Sequence, residues 1–476
     1  MSTARRIAKN TAVLFSSQII SYILLFFSTI YMARYLGTEG FGILSLALAI
    51  TGIYAIFADL GLNTFTVREV SKDRSLSNKY LVNISIIKVF LSFLTLFITY
   101  LTVTTINYSQ EVSSVIYIII LSIIFSSFTG IFNSIFQAHE KIKYQSVSNI
   151  LNGIIMFVIV LFAIYNNLGL LTFATIYLIS SVVILVYSFT IYSLKFHVPK
   201  LEVDPKFWKP TLTEAWPFGL SGLFATVYVW IDTFLLSIMV GDAIVGIYSA
   251  AYRIITFLLF IPIIFNTVIF PLMSTFFISS KSSLKTTLNK YFKLMLIISI
   301  PMGVAITILS DKIILLIFGS NFTGSIIALQ ILIWATVLIF INSPFVQLMQ
   351  AVNHQMTLTK IGAICMFENI ILNLLLIPHF SYIAASFITV FTELTGLMIV
   401  FYVIHDIGYS TLSSELKDTI MILAASLVMG LFIFYFRNLN LILVIIVATL
   451  LYLTILLLIK VINKEEINLF KNIIRS

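Results

Sequence analysis

Apolar residues in this chain run on in blocks of about twenty or more, parted by short polar connections. In a bilayer every backbone polar group must be satisfied within its own segment, so blocks of this length read as membrane-spanning helices of roughly 20 residues. Fourteen are predicted. Six cover residues 11–35, 41–59, 81–104, 112–136, 147–165 and 168–194. Six more cover 216–240, 243–273, 292–318, 325–349, 358–377 and 382–404, and a last pair covers 419–436 and 441–462. The expected fold class is an all-α polytopic membrane protein with about 14 transmembrane helices: two pseudo-symmetric six-helix bundles and a C-terminal helix pair. An even count places both termini on one side.

The longest connection, KFHVPKLEVDPKFWKP, mixes prolines and charges and breaks helical periodicity. It divides the chain into an N-terminal bundle (1–194), a cytoplasmic linker (195–215), a second bundle (216–405) and an additional helix pair with a cytoplasmic tail (406–476). Sliding the chain by 204 positions aligns LGTEGFGILSLA with VGDAIVGIYSAA, pairing Gly37 with Gly241 and Gly42 with Gly246. Two glycines at the same spacing after the first helix of each half point to an internal duplication, a common transporter plan.

Composition agrees with this reading. Of 476 residues, 60% are hydrophobic and only 10% charged, with a mean hydropathy of +1.08. That charged fraction is about half that of a soluble domain, which excludes a water-soluble globule. The single cysteine, Cys365, excludes an intramolecular disulfide or a multi-cysteine metal site.

The net charge of +9 is informative by position. With the N-terminus inside, 23 of the 28 Lys and Arg residues fall on inner connections or tails, among them Arg5, Arg6, Lys9, Arg68, Arg74, Lys464, Lys471 and Arg475. Arg34, Lys312 and Arg437 fall outside, and Lys88 and Arg253 within helices. This is the positive-inside pattern. It predicts a multi-pass plasma-membrane protein with both termini cytoplasmic, whose basic charge meets anionic lipid rather than nucleic acid. The first apolar segment lacks a small-residue cleavage site and reads as a span, not a secretion signal. Asn107-Tyr108-Ser109 and Asn321-Phe322-Thr323 are glycosylation sequons in predicted outer loops.

No enzyme motif emerges. His139-Glu140 lacks the second histidine of a zinc-protease helix, no Gly-rich phosphate loop occurs, and the predicted outer loops are too short for a catalytic domain. The expectation is a non-enzyme with no cofactor, driven by a proton or sodium gradient, by membrane potential or by another protein. Ionisable groups inside the membrane are costly and therefore functional candidates. There are six: Asp59, Lys88, Asp232, Arg253, Glu368 and Glu393. Asp59 reads either as a helix end before Gly61 or as a cavity group. Lys88, roughly 10 Å into its helix, either snorkels to the surface or contacts an anion. Asp232 and Arg253, at similar depth on neighbouring helices, form a neutralising pair or line a cavity. Glu368 and Glu393 share a hydrogen bond or proton, or hold a coupling cation.

Together IAKNTAVLFSSQIISYILLFFSTIYMARYLGTEGFGILSLA, ADLGLNTFTVREVS and IDTFLLSIMVGDAIVGIYSAAYRI resemble segments of polysaccharide flippases of the Wzx type. These are oligosaccharide and polysaccharide transporters of the multidrug/oligosaccharidyl-lipid/polysaccharide exporter superfamily. The resemblance implies two bundles around a cavity that moves lipid-linked oligosaccharide to the outer leaflet by alternating access. Arg34, Lys88 and Arg253 are then the available cations, Asp59 and Asp232 further cavity candidates, and Gln18, Tyr22, Asn149 and Asn152 possible sugar contacts. The implied partners are the lipid-linked saccharide, membrane lipids and other polysaccharide-assembly membrane proteins. The six buried groups carry a negative balance, however, where an anionic head group calls for a cationic lumen. A cation-coupled exporter of drugs or organic cations, using Glu368 and Glu393, is the alternative; an outer-face polymerase or ligase is a third.

Overall fold

The computed structural model describes residues 3–409 and 412–461; the tail residues Lys464, Lys471 and Arg475 lie outside these. The apolar runs are helices, and no strand occurs among the described residues. In chain order they are α1 (Thr3–Asp59), α2 (Leu62–Lys72), α3 (Ser77–Ile106), α4 (Gln110–Ala138), α5 (Lys143–Tyr165), α6 (Leu170–Lys195) and α7 (Pro205–Met239). Then follow α8 (Asp242–Leu258), α9 (Phe260–Ser279), α10 (Lys281–Ile317), α11 (Ser325–Ala351), α12 (Gln355–Asp406), α13 (Leu412–Phe436) and α14 (Leu441–Leu458). Twelve helical stretches among the described residues are long and apolar enough to cross a membrane, where the hydropathy pattern predicts fourteen runs. The two longest each hold two of those runs. α1 is broken at Gly37 (φ 70°) and α12 at Ser381 (φ 57°).

Two local expectations change. The run at 243–273 is two helices, α8 and α9, and extends to Ser279. The proline-rich connection is helical from Pro205 onward rather than from 216. The reason is capping: the Asp204 side chain accepts from the Lys206 amide at 3.1 Å, and a proline at the first helical position forfeits no intrahelical hydrogen bond.

The chain forms two compact units, Met1–Ser249 and Ala250–Ser476. In the first, a line of glycines brings α7 and the start of α8 against α1. A Cβ on Gly42 would collide with the carbonyl of Asp242, and one on Gly246 with the carbonyl of Thr38. Thr38 and Asp242 are counterparts under the 204-residue shift, as are Gly42 and Gly246. The contact is therefore reciprocal, as across a two-fold axis. Gly37 and Gly241, also counterparts, both have positive φ, 70° and 122°. Further along the seam the Trp230 indole covers Gly52, and the Leu60–Gly61 corner presses on Gly219. With lipid no less apolar than leucine, such close backbone approach is what holds membrane helices together.

At one end of this unit, polar residues form a belt. Arg68 pairs with Glu214 at 2.7 Å, Arg74 with Glu140 at 2.8 Å and Lys79 with Asp204 at 2.8 Å. These bring the connections after the second, fourth and sixth predicted runs to one end. Exposed ion pairs contribute little individually; the buried Asn83 amide does more. Its Oδ1 accepts from the Asp204 amide at 2.8 Å and the Trp208 indole at 3.0 Å, while Nδ2 donates to the Glu202 carbonyl at 2.8 Å. Phe196 stacks on Tyr192, and the His139 ring meets it edge-on. Nε2 of that histidine lies 2.8 Å from the Ser77 hydroxyl.

In the second unit, α13 and α14 are fastened to α10. Lys293 pairs with Asp418 at 2.7 Å, Asp311 with Arg437 at 2.8 Å, and the Tyr452 hydroxyl donates to the Ile297 carbonyl at 3.0 Å. Lys293 and Asp311 are separated by about 27 Å at 1.5 Å per residue, close to the ~30 Å hydrocarbon thickness. The two ion pairs thus bracket one membrane span.

Either Gly42→Ala or Gly246→Ala should lower the melting temperature of the purified protein clearly. Because each breaks the same reciprocal contact, the double variant should lose much less than the two losses added; strict additivity would separate the two sites. A second expectation concerns pH. Burial, and then the charges of Arg74, Lys141 and His197, hold the His139 pKa below the usual 6.5. The folded belt prefers the neutral ring, so its stability is intact above 6.5 and declines as pH falls through that value. Amide exchange at residues 196–204 should accelerate, beyond the intrinsic trend, from about pH 7 to about pH 5.5, and His139→Gln should flatten the response.

Candidate functional site

Of the six ionisable candidates, Asp59, Lys88 and Asp232 belong to the first unit and Arg253, Glu368 and Glu393 to the second. α1 ends at Asp59, and left-handed Leu60 (φ 49°) and Gly61 (φ 81°) turn the chain into α2. That corner aims Asp59 and Asn63 at α3, where Lys88 is fully buried. The Lys88 ammonium lies 2.7 Å from Asp59 Oδ1 and donates to the Ser127 carbonyl at 2.7 Å, the Ser127 hydroxyl at 2.9 Å and Asn63 Oδ1 at 3.1 Å. Ser127 in turn donates to the Ala58 carbonyl at 2.8 Å. Lys88 therefore does not snorkel: its charge is neutralised in place, and the network ties α1, α2, α3 and α4 together. Asp59 is both a helix end and the counter-ion.

Asp232 on α7 is 4% exposed and accepts from the Tyr248 hydroxyl at 2.9 Å. Arg253 is half-buried and belongs to the second compact unit, Asp232 to the first. Arg34 is exposed on α1, just ahead of the break at Gly37.

Glu368 and Glu393 lie on the two arms of α12, whose break at Ser381 folds them into a hairpin. Cys365 Sγ donates to the Thr392 carbonyl at 3.7 Å, and Thr395 donates to Glu368 Oε1 at 3.1 Å. These contacts place 365–368 beside 392–395, so the two carboxylates share one level. Glu368 Oε2 is buried with no hydrogen-bond partner among the described residues. Further along this arm the buried Asn373 donates to Asn369 Oδ1 at 3.0 Å. Among the described residues no three His, Cys, Asp or Glu side chains group closely enough to hold a metal ion.

The first unit also holds a half-open cavity of about 360 Å3 among α1, α4, α5 and α6. Asn149 and Asn152 line it; Gln18 and Tyr22 do not. Sequence reasoning passed over the stripe that α4 brings: Ser122, Ser126, Thr129 and Asn133. Their spacing of four, three and four residues, one helix face, was the available signal. On α4 this stripe begins beyond apolar residues 112–119 of one buried cluster and runs into 131–138 of another. Asn63 and Ser127, the neutral partners of Lys88, carried no such signal.

Residues 7–277, more than half of the chain, match the profile of the family described as polysaccharide biosynthesis protein, and residues 217–375 match the MatE profile. A probable low-salt glycan biosynthesis flippase of Haloferax volcanii is 24% identical over 98% of this chain and 99% of its own. A second probable flippase of that organism is 27% identical; the match spans 55% of this chain and about half, 54%, of that relative. A putative O-antigen transporter of Shigella flexneri is 25% identical over 61% of this chain and 72% of its own. Among solved structures, a lipid II flippase in an inward closed conformation superposes with a TM-score of 0.75 at 19% identity, covering 93% of this chain and 98% of that one. An inward-facing multidrug resistance transporter gives 0.65 at 15% identity, covering 84% and 99%. At these identities the structural likenesses establish the fold.

Lys88→Met strands the Asp59 carboxylate and should destabilise the protein by about 3 kcal/mol. The double variant Lys88→Met with Asp59→Asn should recover part of that loss in thermal melts. Equal stability of Lys88→Met and wild type would show that the pair carries no structural weight.

Proposed function

The chain belongs to the polysaccharide biosynthesis protein family, and from that membership we propose that it carries lipid-linked oligosaccharide or polysaccharide precursors from the inner to the outer leaflet by alternating access. The observation that carries this reading is the nearly end-to-end match to a probable glycan biosynthesis flippase. The helices supply a physical basis. A carrier-lipid phosphate cannot cross hydrocarbon without compensation, so the protein must offer cations and water while the acyl tail stays in lipid. Lys88 is held against Asp59; Arg34 and Arg253 are the cations proposed to meet the head group. The protein is a transporter rather than an enzyme in this reading. It is placed in the plasma membrane with both termini cytoplasmic, in keeping with its basic connections. Other polysaccharide-assembly proteins are proposed neighbours.

Coupling is assigned to Glu368 and Glu393. They stand at one level of the α12 hairpin, and a buried Glu368 oxygen has no hydrogen-bond partner among the described residues. A proton or sodium ion taken there would offset the cost of two nearby carboxylates. The MatE match over 217–375 favours a second reading, cation-coupled export of drugs or organic cations through the same carboxylates.

Cells lacking the protein should accumulate lipid-linked saccharide on the cytoplasmic leaflet; unchanged surface polysaccharide without accumulation would overturn the first reading. Arg253→Ala should impair complementation and Arg253→Lys restore part of it at equal expression. Glu368→Gln should abolish the cation dependence of transport. Loss of drug efflux in that variant, with saccharide export intact, would select the second reading.

A further inference from the structure

Among the described residues, the cavity inside the first unit has a polar wall without charge: no described Lys, Arg, Asp, Glu or His lines it. In a membrane helix bundle, hydroxyls and amides facing inward are costly unless they satisfy one another or meet water or a ligand. Here they do so only in part. Ser180 donates to Asn152 Oδ1 at 2.6 Å, whereas Asn133 Oδ1 is buried with no hydrogen-bond partner among the described residues. Side chains serving only as packing would interlock and close the space; about 360 Å3 remains.

The wall narrows the ligand chemistry. With no charged side chain among its described lining, it supplies no counter-charge to a phosphate, a carboxylate or a cation. Leu25, Leu48 and Met156 give it apolar surface beside the amides, and Tyr177 an aromatic ring. A drug-like aromatic would leave the amides unpaired, at a cost of about 1–3 kcal/mol each. A pyranose satisfies both kinds of surface: its hydroxyls donate to and accept from asparagine, and its C–H faces lie on aliphatic or aromatic carbon. The volume sits near the lower end of ligand pockets, about 300–1,000 Å3, enough for a short stretch of glycan.

We infer that this cavity is a binding subsite for a neutral sugar residue, a hexose or N-acetylhexosamine, held by Asn133, Asn149 and Asn152. The assignment rests on the transport reading only in calling that sugar part of the cargo. The head-group phosphate and the sugar are then recognised at separate places, charge at the arginines and hydroxyls in the uncharged cavity.

The test uses the full chain in phospholipid nanodiscs free of maltoside detergent. Methyl glycosides of glucose, galactose, mannose and N-acetylglucosamine are titrated by saturation-transfer NMR, with methyl glucuronide as the charged probe. At least one neutral glycoside should saturate, and the glucuronide should bind at least tenfold more weakly. The double variant Asn133→Leu with Asn152→Leu should weaken binding tenfold or more. Ser126→Trp, which fills the space but keeps every amide, should block it, with thermal melting verifying that each variant is folded. No saturable neutral glycoside, an equally tight glucuronide, or binding unchanged in both folded variants would overturn the assignment. Accumulation of lipid-linked saccharide in deletion cells is scored separately. Accumulation without cavity-dependent binding sinks this inference and leaves the transport reading standing; cavity-dependent binding without accumulation does the reverse.

Discussion

The first unit depends on backbones that touch. Gly42, Gly52 and Gly61 on one side, and Gly219 and Gly246 on the other, let α1 and α2 approach α7 and α8 more closely than any side chain permits. Between helices in lipid there is no hydrophobic drive to associate, so packing distance is the main resource. Much else follows from this seam. It fixes the corner at Leu60–Gly61, and that corner aims Asp59 at Lys88. It also sets the second arm of α1, whose Leu48 forms part of the cavity wall.

The two units treat buried charge differently. In the first, Lys88 and Asp59 cancel, with Ser127 and Asn63 taking up the remaining ammonium hydrogens. In the second, Glu368 has one oxygen satisfied by Thr395 and the other buried without such a partner. A carboxylate held against a buried counter-ion resists change, whereas one without such a counter-ion can take up a proton or cation at modest cost. That contrast separates a structural device from a candidate coupling device. Residue type alone does not draw this line, since both sites carry the same kind of acid.

The helices were legible because their signal is length: a run near twenty apolar residues has few alternatives in a bilayer. The seam was half legible, since Gly42 and Gly246 stood out as repeated identities, but nothing linear said that each receives the other's carbonyl neighbourhood. Asp59 as a helix end was readable from the following glycine. Lys88 stayed open between snorkelling and meeting an anion because depth along one helix says nothing about an aspartate arriving from another. The hydroxyl stripe on α4 was hidden by its own chemistry. Serine and threonine in helices commonly bond back to a carbonyl of the preceding turn, as Thr129 does to Phe125, so they pass for apolar filler. The start of α7 was concealed by its prolines, of which Pro205 is harmless at the first turn while Pro210 and Pro217 lie inside the helix.

The Lys88–Asp59 pairing has an electrical meaning as well. Moving one elementary charge across the full field changes the energy by about 2.3 kcal/mol per 100 mV. Two opposite charges 2.7 Å apart travel as a small dipole, and whatever rearrangement α3 and the end of α1 undergo during a cycle does almost no work against the membrane potential. This part of the protein is electrically silent, and voltage can gain purchase only on charges that lie elsewhere.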